Sequence, residues 1–182
     1  MTHNNLEETL MTIASRLPFA AFALLLAAGA AQGQQANPLD AIPEKMPFDV
    51  PYGAPVSLER ADAVLAAAVA ESKGRGWKMN CAVVDSGGNL VSFKRMDNAQ
   101  LASIDIAMHK ARAAAKYRRE TKAFEGGVQN GLTYLLSLDD VIASRGGIPL
   151  VDGGKIVGAI GCSGGTGSQD EVVAKAGVAA LK

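Results

Sequence analysis
Apolar positions along the chain follow two periods, and the switches between them outline a fold. From Ser57, a residue suited to an N-cap, apolar side chains fall at Leu58, Ala61, Leu65, Ala68 and Val69, the spacing of one helix face. This helix is expected to stop near Lys73-Gly74, where glycine suits a C-terminal cap. Met79 to Asp85 reads as a strand, Ser86-Gly87-Gly88-Asn89 as a tight turn, and Leu90 to Lys94 as the return arm of a hairpin. Leu101, Ile104, Met108, Ala111 and Ala115 mark one face of a long second helix. Gly126-Gly127 is expected to break the helical pattern, and residues 128–145 read as short helical turns around Leu132, Leu135, Leu136 and Val141. A second hairpin covers residues 147–151 and 155–162, turning at Asp152-Gly153-Gly154. Pro149 has no ladder donor, which places the first of these strands at a sheet edge. Ser168-Gln169-Asp170-Glu171 reads as a capping box that opens a terminal helix on Val172, Val173, Ala176 and Ala180. The order α-ββ-α-α-ββ-α predicts an α+β fold, an antiparallel sheet of two hairpins flanked by helices.

The first segment is expected to lie outside that fold. Arg16 precedes an apolar run from Pro18 to Ala28, and small residues follow, the pattern of a secretory signal peptide. Residues 1–33 are read as that signal, with Met11 a candidate start and cleavage expected after Ala30 or Gly33. The apolar run is short for a span of about 20 residues, so no transmembrane anchor is expected after cleavage. The implied location is periplasmic or secreted. Residues 34–56 hold five prolines, which block helix and central strand and predict an extended arm. Two readings of the arm stay open: a loose linker, or a strap that wraps a neighbouring subunit through Met46, Phe48, Val50 and Tyr52.

Composition narrows the chemistry. The 182-residue chain carries 18 basic and 18 acidic side chains, so no global field attracts nucleic acid. Its 48% hydrophobic content supports a packed core, and its two cysteines, Cys81 and Cys162, are not spaced as a zinc site. Loss of residues 1–33 removes Arg16, Glu7, Glu8 and His3, leaving a net charge of +1 and one imidazole, His109. That histidine shares a polar helical stripe with Asp105, Arg112 and Lys116, and Lys110 flanks it. A sole imidazole among cations, near Met108 and Tyr117, has the parts haem needs: an axial ligand, partners for propionates and an apolar wall. A solvated helix face is the plainer alternative. Asp85 and Asp152 read as turn residues rather than catalytic carboxylates. The run Gly161-Cys-Ser-Gly-Gly-Thr-Gly-Ser168 is read as a flexible connection, with amide capture of an anion as the alternative.

Three stretches carry a family resemblance: CAVVDSGGNLVSFKRMDNAQLASIDIAMHKARAA, the region of Thr121, and GGIPLVDGGKIVGAIGCSGGTGSQDEVVAKAGVAAL. Together they resemble the GlcG/HbpS-like family, a haem-degrading-type domain, over residues 56–182. The resemblance implies a profilin/PAS-like layer, dimers that build into larger assemblies, haem binding in several members and iron binding in some. Phe93, Arg95 and Asp97 match the family's aromatic-x-Arg-x-Asp run, with Asp97-Asn98-Ala99 in place of Asp-Gly-Ala. Lys110-Ala111 and Thr121 match as well. The resemblance also implies that the strands of Cys81 and Cys162 pair at the sheet centre. A disulfide and two separate buried thiols are both open, and separate thiols are the expectation.

Two functions follow. The favoured one is an exported, oligomeric haem- or iron-binding protein for sensing, scavenging or storage, with His109 as metal ligand and Lys110, Arg112, Arg95 and Asp97 near the ligand. Its partners would be a small molecule and further copies of itself, with no nucleic acid. The other is an enzyme on a small carboxylated metabolite, with Arg95 holding the carboxylate and Asp97 or His109 as acid or base.

Overall fold
The computed structural model describes residues 40–181. The expected signal segment and the start of the arm lie outside them. The chain divides into residues 1–44 and residues 45–182, and the second unit holds every element below. These are α1 (Leu58–Gly74), β1 (Asn80–Asp85), β2 (Leu90–Arg95), α2 (Ser103–Lys116), α3 (Lys122–Gln129), a 3-10 turn (Thr133–Ser137), β3 (Gly147–Asp152), β4 (Lys155–Ser163) and α4 (Gly167–Ala179). The fold is α+β, as the hydrophobic periods predict.

The four strands run in the order β2-β1-β4-β3, every neighbour antiparallel, with β3 and its Pro149 at an edge as expected. Alternation along β1 and β4 sends side chains to opposite faces. Cys81, Val83, Ile160 and Cys162 enter the main core, against Leu65 and Ala68 of α1 and Val173 of α4. Ala82, Val84 and Ala159 face the other way, onto Ala111, Ala114 and Ala115 of α2. Helices therefore cover both faces. The α2 side is built from small residues because backbone meets backbone there. Gly147 and Gly161 are register partners, and a side chain on either would strike α2 itself, at the Lys110 carbonyl or at Ala107 and Ala111.

Lys110 turns inward from α2, and its ammonium lies 2.7 Å from Asp170 of α4, on the opposite side of the sheet. Both side chains are buried, 1% and 3% exposed. Room for the crossing comes from Gly146 at φ +118, where a Cβ would stand 2.7 Å from the Asp170 Cβ and 3.3 Å from the Lys110 Nζ. The Asp170 carboxylate also accepts from the Gly165 amide at 3.1 Å. Burial pushes this carboxyl above its ordinary range, opposed by Lys110 and by the amides of Gly165 and Gly164. The glycine run after β4 thus holds an anion belonging to the protein, so it is neither a flexible connection nor an open cradle.

Several other expectations need correction. The cap of α4 is Thr166, reciprocated by Gln169, two residues before the expected Ser168. Glu171 cannot reach back as a capping-box partner because Lys122, Arg145 and Lys175 hold its carboxylate. Gly126-Gly127 does not end a helix but lies within α3, where Gly127 leaves space for the buried Leu135. The later part of the arm is not a loose linker. Beyond Asp85, β4 loses its β1 neighbour, and the arm takes that place: Ile156 donates to the Pro51 carbonyl, Gly53 to Ile156 and Val56 to Val157, each at 2.8 Å. Tyr52 donates its hydroxyl to the Lys116 carbonyl at 2.8 Å, and the Arg119 guanidinium lies 3.3 Å over the Phe48 ring. The arm therefore binds its own chain. Finally, Cys81 and Cys162 are not separate thiols; they are directly opposite in register, with Cα atoms 4.2 Å apart, and form a disulfide.

Two outcomes follow. Removing one member of the buried pair, by Lys110→Met or Asp170→Asn, is expected to cost about 3–5 kcal/mol in urea unfolding. The double change Lys110→Met/Asp170→Leu should recover most of it. The disulfide closes a loop with a sequence separation of 81, so reduction should destabilise the chain by on the order of 4 kcal/mol. Alkylation of the unreduced, denatured protein is expected to label no thiol.

Candidate ligand-binding site
With Ala107, Ala111 and Ala114 against the sheet, α2 turns Asp105, His109, Arg112 and Lys116 outward. His109 is half-buried, and its ring nitrogens make no hydrogen bond to the described residues. Lys116 pairs with Asp140, a residue absent from the expected set. Asp140 sits at φ +61, a left-handed conformation that aspartate tolerates. Its carboxyl is held below the ordinary carboxylate range, first by the Lys116 hydrogen bond and further by the charges of Lys116, Arg112 and His109, against the effect of burial. Residues 133–140 are thereby drawn alongside this stripe, and Tyr117 donates to the Asp139 carbonyl at 2.6 Å. The same segment exposes Tyr134, Leu136 and Leu138.

One residue along a helix is a turn of about 100°, and that rotation separates Lys110 from its neighbours. His109 and Arg112 share the outer stripe, while Lys110 is inside the protein with Asp170. Its ammonium is not offered to an external anion, contrary to the expectation that it lies near a ligand.

Arg95 and Asp97 are placed elsewhere, together. They line a cleft of about 320 Å³ between the end of α1 and the end of β2. Lys73, Lys78 and Lys94 join them, above Val69 and Met96. His109 and Arg112 are not among the lining residues. The loop that carries Asp97 is a fixed turn: Met96 donates to the Met79 carbonyl at 3.1 Å, Ala99 donates to Met96 at 3.1 Å, and Asn98 adopts φ +61. Asparagine serves there in the left-handed position that the usual glycine would take. The three lysines escape a reading along the chain because they belong to different elements and converge only when β1 pairs with β2.

The outer stripe of α2 carries one imidazole and cations rather than a chelating cluster. Among the described residues no three His, Cys, Asp or Glu side chains are grouped to chelate a metal. Haem iron brings four nitrogens of its own and needs only an axial donor, cations and an apolar wall. Of these, the stripe itself supplies an imidazole, His109, and a cation, Arg112.

Known proteins bear on this geometry. The Escherichia coli K12 protein GlcG is 42% identical over 108 residues, which is 59% of this chain and 81% of GlcG. A crystal structure of Streptomyces reticuli HbpS, a double mutant, superposes with a TM-score of 0.67 at 29% identity, covering 78% of this chain and 97% of that one. A PduOC–haem complex superposes at 0.65 with 28% identity, covering 71% and 96%. The family model described as haem degrading protein HbpS-like matches residues 56–179, nearly all of the described fold, and the chain belongs to that family.

Proposed function
We propose that this protein is an exported, self-associating haem-binding protein whose iron is held at His109. The observation that carries this reading is the placement of the one imidazole outside residues 1–33. It faces outward from α2 without a hydrogen bond to the described residues, with Arg112 on the same stripe. The solved haem complex of a relative with this fold supports the ligand class. The Cys81–Cys162 bond supports export, since disulfides persist in oxidising compartments. Exposed Tyr134, Leu136 and Leu138 support self-association on the same side. Among the described residues no helix is long and apolar enough to cross a membrane.

The enzymatic reading has one observation in its favour, the shared cleft of Arg95 and Asp97. It loses His109 as an acid or base, because His109 lies on a different surface. Asp97, which is exposed, would then be the one carboxyl lining the cleft to carry the proton. Binding without turnover accounts for more of the arrangement.

Titration of the purified protein with hemin is expected to give a saturable Soret shift at a stoichiometric ratio. His109→Ala should abolish or markedly alter that band, and Arg112→Gln should weaken binding while keeping its shape. A bis-imidazole spectrum would require α2 helices from two copies. An unchanged band in His109→Ala removes His109 from the site. Export is checked by intact mass: protein from the native host is expected to begin near Ala31 or Gln34, and retention of Met1 or Met11 overturns it.

A further inference from the structure
The cleft at the ends of α1 and β2 gathers cations from three parts of the chain: Lys73 from α1, Lys78 from the segment before β1, and Lys94 and Arg95 from β2. Several cations on other surfaces have carboxylate partners: Arg60 has Asp152, Arg75 has Glu71, Lys116 has Asp140 and Arg145 has Glu125. In the cleft, Lys73, Lys78 and Arg95 have no carboxylate within ion-pair distance among the described residues. Lys94 has only Asp62 at 3.7 Å, with both side chains about half exposed. Four cations thus converge against one carboxylate, Asp97. For a chain with 18 basic and 18 acidic side chains, this is a local concentration and not an overflow of net charge.

Converged like charges repel unless a counter-anion joins them. The size and walls of the cleft define that anion. About 320 Å³ is near the lower end of small-molecule pockets, which run from about 300 to 1,000 Å³. Val69 and Met96 supply an apolar surface, and Met96 is itself packed on the main core. A ligand with a short carbon skeleton and several negative groups would use both features. Asp97 adds a selective element, since an ionised carboxylate accepts hydrogen bonds only. It would repel a carboxylate of the ligand and favour a hydroxyl.

We propose that this cleft is a binding site for a small hydroxylated di- or tricarboxylate, separate from the His109 surface. Lys73, Lys78, Lys94 and Arg95 hold the carboxylates, and Asp97 accepts the hydroxyl. The proposal does not rest on haem binding, because no lining residue of the cleft belongs to the outer stripe of α2.

Calorimetry at low ionic strength tests it, with citrate, its deoxy analogue tricarballylate, and orthophosphate. Citrate is expected to bind saturably, more tightly than either of the others, and more weakly as salt is raised. Lys78→Gln and Arg95→Gln should each lower citrate affinity by about tenfold or more, the usual scale for losing one charge-assisted contact. Asp97→Asn should shrink the preference for citrate over tricarballylate, and His109→Ala should leave citrate binding unchanged. Absence of saturable citrate binding overturns the site. Unchanged affinity in both Lys78→Gln and Arg95→Gln overturns its location. Phosphate binding as tightly as citrate overturns the ligand class, and loss of the hemin Soret band on adding citrate overturns the separation of the two surfaces.

Discussion
One charge pair crosses the sheet, and much of the architecture is arranged around it. Lys110 leaves α2 on one face and meets Asp170 of α4 on the other, with both groups out of water. A buried ion pair is tolerable only when its remaining polar valences are satisfied. The Gly165 amide meets part of that need. Gly146 must lack a side chain for the crossing, and Gly147 must lack one for α2 to lie so close. Thr121 then brackets Gly147, donating its amide to the Gly147 carbonyl at 2.9 Å and accepting the Gly147 amide at its hydroxyl at 3.0 Å. Lys110, Thr121 and the Gly146-Gly147 pair are therefore one structural unit, and none of them is free to serve a ligand.

This unit also determines what α2 can present. With Lys110 pulled inward and Ala107, Ala111 and Ala114 pressed on the sheet, the remaining outward positions are Asp105, His109, Arg112 and Lys116. The helix cannot rotate to offer another stripe without breaking the pair or driving bulk into Gly147 and Gly161. The orientation of His109 is thus a consequence of packing on the far side of the helix.

Elements whose signal is local are legible along the chain. Hairpin turns, the Ser57 cap, the edge position of Pro149 and the α+β order follow from periodicity and turn chemistry, and Asp85 accepts the Gly87 and Asn89 amides as a turn residue should. What stays hidden is decided by partners distant in sequence. Ser168 and Glu171 have capping-box spacing, yet Glu171 is claimed by Lys122 and Arg145 from other elements. Gly126-Gly127 looks like a helix breaker until Leu135 packs upon it. His109 and Arg112 share a stripe because that depends on helical geometry alone. Lys110 looks equally available, and only Asp170, 60 residues away, removes it. The converging lysines of the cleft are hidden for the same reason.

The two surfaces differ in how firmly they are held. Near the cleft, Asn80 pairs with Arg95 on one side and Ser163 on the other, and the next pair on β4 is the Cys81–Cys162 disulfide. Cys162 also donates its amide to the Gly146 carbonyl at 3.0 Å, beside the buried ion pair. Covalent bond, ladder and charge pair therefore gather at the end of the sheet that carries Arg95 and Asp97. The frame fixes the backbone beneath Arg95, while the exposed side chains of Lys73, Lys78, Lys94 and Arg95 would still lose rotamer freedom when an anion arrives. The segment of Tyr134 to Leu138 has a different support, a 3-10 turn anchored by Leu135 and by the contacts of Asp139 and Asp140 with α2. The first arrangement suits the small polyanion proposed for the cleft, and the second suits the broader, flat ligand proposed for the His109 surface.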